Sequence, residues 1–148
     1  MFAPKAGDQR ESGWTGARVA RAAGVVAVAA MLAPAGVASA AEVGHGTIND
    51  SAGRAQIQVD VAVFAATAPD FPQRILSLGE AKWGEVMGLR HLTRLARARD
   101  LLAAKKYDIS TTVLACYSAA GFDQDLRDQA ARAPQNVLLI GPEELYAP

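Results

Sequence analysis

The chain has 148 residues, a length suited to one domain. Fifteen Lys and Arg are balanced by fifteen Asp and Glu, so the overall charge gives no argument for a nucleic-acid partner. The one cysteine, Cys116, excludes an internal disulfide, and no Cys/His cluster has metal-ligand spacing.

Residues 1–21 are polar and irregular. Ala22 to Ala33 is an unbroken run of small apolar residues, stopped by Pro34 and Gly36 and followed by Ala38-Ser39-Ala40. A basic region, a short apolar segment and an Ala-x-Ala site are the three parts of a secretory signal peptide. The run is too short to span a bilayer, which takes about 20 residues. It is read either as that signal or as a low-complexity, alanine-rich helix. The boundary is placed between a 1–41 leader-like segment and a 42–148 domain.

Asn49-Asp50-Ser51-Ala52-Gly53 reads as a turn. It joins a short first strand centred on Thr47-Ile48 to an alternating strand, Gln56–Phe64, with Asp60 in its middle. Ala65 to Gln73 holds Pro69, Asp70 and Pro72 and reads as a loop. Arg74–Lys82 is the next strand. By period-two alternation, Leu76, Leu78, Glu80 and Lys82 share one face, so an acid and a base end an apolar run.

Gly84–Gly88 is a connection. Leu89–Ala104, free of Gly and Pro and rich in helix formers, predicts a helix. Arg90, Arg94 and Arg97 fall on one of its faces. From Lys82 to Lys106 seven basic residues stand against two acidic ones, a local excess of +5 in a chain that is neutral overall. This stripe is either a phosphate-facing surface or a solvated helix face. His91 is expected to be exposed on the same helix.

Thr111–Tyr117 reads as a central parallel strand. Cys116 is expected in the core, with no basic or His neighbour to activate it. Ser118–Gly121 turns. Phe122–Ala133 is a helix that Pro134 stops, Asn136–Ile140 is a strand, and Gly141–Tyr146 is one helical turn with Pro at its start. Strand-helix-strand-helix-strand after residue 74 predicts an α/β sheet. His45, between glycines, is expected in a turn. Trp83 and Tyr117 are expected to seal the strand ends, with stacking on a base as the alternative.

Gly79-Glu80-Ala81-Lys82-Trp83, preceded by Val59-Asp60-Val61 and followed by Ala120-Gly121-Phe122, resembles the C-terminal domain of archaeal-type P-loop ATPases, a member of the PD-(D/E)xK nuclease superfamily. The resemblance runs from about Val43 to the end. It implies a restriction-endonuclease-like α/β fold, a mixed sheet flanked by helices. It implies Mg²⁺ held by Asp60, Glu80 and the Ala81 carbonyl, with Lys82, the third catalytic residue beside Asp60 and Glu80, positioning the attacking water or stabilising the developing charge. It also implies nucleic acid as substrate, with Arg90, Arg94 and Arg97 as contacts, and a cytoplasmic setting, in contrast to the secretion that the N-terminus suggests. The superfamily usually adds an acid from a helix before the first strand; here that region is the alanine-rich run, and Glu42 is the nearest acid. No Gly-x-x-x-x-Gly-Lys-Ser/Thr occurs, so the ATP-binding half of those ATPases has no counterpart in this sequence. The alternative expectation is a non-catalytic module that docks on a P-loop ATPase.

Overall fold

The computed structural model describes residues 40–66 and 69–146. The leader-like segment lies outside them, apart from Ala40 and Ala41, which open the first strand. In chain order the elements are β1 (Ala40–Asp50), β2 (Ala55–Ala65), β3 (Ile75–Lys82), α1 (Leu89–Ala104), β4 (Val113–Ser118), α2 (Gln124–Arg132), β5 (Val137–Ile140) and α3 (Pro142–Leu145). They form an α/β fold around one mixed sheet in the order β1-β2-β3-β4-β5. β2 runs antiparallel to both neighbours, while β3, β4 and β5 are parallel. The expected strand-helix-strand-helix-strand succession is present, with β4 central and parallel. Among the described residues, no helix is long and apolar enough to cross a membrane.

The hairpin is longer than the sequence suggested. β1 pairs with β2 from Ala40 to Asp50 rather than only around Thr47-Ile48. The Asp50 side chain closes the turn by accepting the Gly53 N–H at 2.9 Å. His45, expected in a turn, is an exposed strand residue, at a point where β1 and β2 slip out of register.

α1 and α2 pack on one face of the sheet. Leu92, Leu95, Ala98 and Leu102 of α1 and Leu126 of α2 meet Val59, Ala62, Leu78, Leu114 and Cys116. The apolar stripe of α1 is thus what the near 3.6-residue spacing prescribes. Ala115, Tyr117 and Ile140 form a separate cluster on the other face, against Leu145 of α3. Cys116 is fully buried, and burial pushes its thiol up to about 12.

Two bulges change which side chains share a face. Val63 pairs with Ser77 and Phe64 with Ile75, so Leu76 is an extra residue in β3. Leu76 therefore packs with Val43, Val63 and Ala65, while Ile75 and Leu78 belong to the helix-covered core. The expected four-residue face loses Leu76. In β2, Gly46 pairs with Val59 and Gly44 with Ala62, which places Asp60 in a bulge. Ala62, which would share a face with Asp60 in a regular strand, is in the core.

Candidate functional site at the carboxyl end of β3

β3 is a central strand, and its last residues carry the charges. Glu80 is only 2% exposed. A buried carboxylate must be paired, and here two cations share one oxygen. Lys82 Nζ lies 3.2 Å and Arg94 Nη1 3.3 Å from Glu80 Oε1. The second oxygen, Oε2, is buried and has no hydrogen-bond partner among the described residues.

Asp60 reaches the same strand end from β2. Its Oδ2 accepts the Ala81 N–H at 2.9 Å, and its Oδ1 accepts from Gln58 Nε2 at 3.1 Å. The regular β2–β3 ladder ends at Val61–Gly79. The bulge at Asp60 thus lets a side chain satisfy a backbone donor beyond the ladder. Asp60, Glu80, Ala81 and Lys82 are brought to one strand end, with Asp60 bonded to the residue between Glu80 and Lys82. Among the described residues, no group of three or more His, Cys, Asp or Glu side chains is placed to hold a metal ion. The donors at this end are carboxylate and carbonyl oxygens, the chemistry that Mg²⁺ takes, and among the described side chains Glu80 Oε2 is buried there unengaged.

The arginine stripe is real in position but largely neutralised. Arg90 pairs with Glu85, Arg94 with Glu80, and Arg97 with Asp50. Arg99 pairs with its neighbour Asp100. Much of the excess of positive charge on α1 is thus compensated by carboxylates supplied from β1, β3 and the β3–α1 connection.

His91, expected to be exposed, is buried. Its Nδ1 accepts the Gly88 N–H at 3.0 Å and so caps the first turn of α1 in place of an acidic residue. Its Nε2 lies 3.5 Å from Glu85 Oε1. Glu85 is fixed in turn through its backbone, whose carbonyl accepts the Ser118 hydroxyl at 2.9 Å.

The β3–α1 and β4–α2 connections are stitched together. Met87 N–H donates to the Gly121 carbonyl at 3.0 Å, and Asp123 N–H donates to the Met87 carbonyl at 2.9 Å. Gly121 has φ +98°, a conformation that favours glycine. The β3–α1 connection therefore lies against the turn at Gly121.

Trp83, expected to seal the sheet, is 76% exposed. Tyr117 does seal it: the ring lies over Gly79, where an added Cβ would come within 2.6 Å of Tyr117 Cε2. The Tyr117 hydroxyl is buried without a partner among the described residues, and burial pushes the phenol up to about 12. Trp83, Tyr117, Lys82, Ala119, Pro142 and Leu145 line an open cleft of about 120 Å³. No local sequence signal joins Lys82 and Trp83 to Pro142 and Leu145, because β4 and β5 intervene in the chain. Arg94 as a second cation on Glu80 was equally hidden, since the two are neighbours only once α1 has packed on the sheet.

No family model, curated protein or solved structure matches this chain. The class defined by the fold is α/β with a five-stranded mixed sheet, and the features that bear on function are those at the end of β3.

Proposed function

We propose that the carboxyl end of β3 is a Mg²⁺-dependent phosphodiester-cleaving site of the PD-(D/E)xK kind, acting on nucleic acid, within a restriction-endonuclease-like sheet. The observation that carries this reading is the Glu80 carboxylate, buried with Oε2 unengaged, beside Lys82 and one residue from the Ala81 N–H that Asp60 accepts. An Asp on one strand and Glu-x-Lys at the end of the next is also the arrangement on which the resemblance rests.

Asp60, Glu80 and the Ala81 carbonyl are the groups that would hold the ion. When bound, Mg²⁺ polarises a phosphate and lowers the pKa of a coordinated water. Lys82 orients a water or stabilises charge developing on the phosphate oxygens. Arg94 neutralises Glu80 in the absence of metal and competes with it. The test is cleavage of labelled single- and double-stranded DNA and RNA by the full chain in Mg²⁺. Loss of cleavage in Asp60→Asn, Glu80→Gln and Lys82→Ala, each still folded, supports the reading. Cleavage that persists in all three removes it.

A second reading, a docking module for a P-loop ATPase, is favoured by one observation. Trp83, Val86 and Leu89 are all exposed on or beside the β3–α1 connection. A folded chain that never cleaves, but loses ATPase association on Trp83→Ala or Val86→Ser, would support it.

A further inference from the structure

We propose that Arg94 makes metal loading depend on polynucleotide: it holds Glu80 in the absence of metal and turns to a phosphate when a backbone arrives, releasing Glu80 to the ion. The inference rests on the proposed nucleic-acid function and adds the regulation of that site.

Of the three arginines along α1, Arg94 is the one paired with a proposed metal ligand. Arg90 is held by Glu85 of the β3–α1 connection. Arg97 is clamped to Asp50 by two bonds, at 2.9 and 2.8 Å. Arg94 reaches Glu80 through a single bond, Nη1 to Oε1 at 3.3 Å. A charge-assisted bond of this kind is ordinarily about 2.7–2.9 Å long, so the contact is a loose one. It also shares its acceptor, because Lys82 Nζ lies 3.2 Å from the same oxygen. The Arg94 side chain is 47% exposed and that of Glu80 3%. The arginine is therefore the partner that can leave, and the carboxylate is the one that stays.

A buried carboxylate cannot stand alone. Arg94 can give up Glu80 only to another cation, and a divalent ion is the one the oxygen donors here suit. Charge then sets the condition for the exchange. Asp60 and Glu80 balance Lys82 and Arg94 at this strand end. A divalent ion added to them leaves an excess of positive charge, which phosphates of a polynucleotide cancel. A phosphate also offers the planar guanidinium two parallel bonds, where Glu80 takes one.

Lys82 cannot exchange in the same way. It leaves β3 two residues from Glu80 and on the same face, so it stays beside the carboxylate whatever Arg94 does. The two cations on Glu80 thus divide their work: Lys82 remains at the reacting end, and Arg94 couples the site to its substrate. By linkage, metal and polynucleotide strengthen each other's binding by the same factor.

The test is Mn²⁺ binding by the full chain, followed through the electron paramagnetic resonance of the free ion. It is run with and without a phosphorothioate oligodeoxynucleotide of about ten residues, which resists cleavage, as a single strand and as a duplex. Arg94 reads phosphate alone, so one form suffices. The expected result is Mn²⁺ binding about tenfold tighter with oligonucleotide, and oligonucleotide binding tighter by the same factor with Mn²⁺. Arg94→Ala binds Mn²⁺ about fivefold more tightly without oligonucleotide and gains about twofold or less from it. Arg94→Lys, which keeps the charge without the fork, restores the wild-type Mn²⁺ affinity and only part of the coupling. Arg99→Ala, which takes the same charge from the same helix but frees Asp100 instead, behaves as wild type.

Equal Mn²⁺ affinity with and without either oligonucleotide, or undiminished coupling in folded Arg94→Ala, overturns the inference and leaves the metal site standing. A folded wild type that takes up no Mn²⁺ in any of these mixtures overturns the inference together with the hydrolytic reading.

Discussion

Arg97 and Asp50, separated by 47 positions in the chain, form a two-pronged ion pair: Nε to Oδ2 at 2.9 Å and Nη2 to Oδ1 at 2.8 Å. The pair ties α1 to the β1–β2 turn. The Arg97 hydrogen bonds hold the Asp50 carboxyl down at about 2, helped by the Gly53 N–H, against an ordinary value of 3.8. The unfolded chain therefore binds more protons than the folded one between about pH 4 and pH 2. The stabilisation is fully present above pH 4 and lost as pH falls toward 2. Thermal midpoints measured against pH should show wild type above Arg97→Ala by a constant margin near neutrality. That margin should close through this acid window and narrow in high salt, because Arg97 is half-exposed.

Gly79 has no room for a side chain. A Cβ there would meet Tyr117 Cε2 at 2.6 Å, the Ala115 carbonyl at 3.2 Å and Val61 Cβ at 3.3 Å. Gly79→Ala must push the Tyr117 ring aside, and overpacking of this kind costs about 1–3 kcal/mol. Chemical denaturation should show that loss, and Gly79→Ala/Tyr117→Ala should recover part of the Gly79→Ala penalty relative to Tyr117→Ala alone.

Cys116 should be inert in the native protein. It is fully buried, and its thiol is raised to about 12 first by desolvation and then by the nearby Glu80 charge. Almost no thiolate exists at pH 8. Alkylation by iodoacetamide should track global unfolding and accelerate sharply in denaturant. Rapid stoichiometric labelling of the folded chain would contradict this assignment.

Arg94 and a divalent ion compete for Glu80 Oε1, from which Arg94 Nη1 is 3.3 Å away. Arg94→Ala should tighten Mg²⁺ or Mn²⁺ binding by about fivefold, the equivalent of about 1 kcal/mol for a part-exposed ion pair. If Arg94 instead contacts nucleic acid and leaves Glu80 alone in solution, metal affinity stays at the wild-type level.

The local signals in the sequence carried much of this fold. The absence of Gly and Pro from 89–104 and its richness in helix formers matched α1 at both ends. The apolar runs within 111–117 and 136–140 marked strands, the first of them as parallel. The bulges were not legible, because alternation alone has no term for an extra residue. Leu76 consequently changed faces, and Asp60 entered a bulge rather than a regular ladder. Charge pairing was also hidden. The stripe of Arg90, Arg94 and Arg97 reads as an open cationic face until the carboxylates of Glu85, Glu80 and Asp50 arrive from elsewhere. His91 was misplaced for a related reason: burial and a backbone capping bond both depend on how Gly88 enters the helix. The Glu80–Lys82 contact was the part of the site best prepared by spacing, since residues two apart on a strand share a face.

Isothermal calorimetry of Mg²⁺ and Mn²⁺ on the full chain tests the metal site most directly, with wild type beside Asp60→Ala and Glu80→Ala. The expected result is a saturable site in the wild type that both substitutions abolish while circular dichroism stays native. A folded wild type that takes up neither ion would contradict the metal-phosphate site. Asp60 would then serve to cap β3, and Glu80 to anchor Lys82 and Arg94.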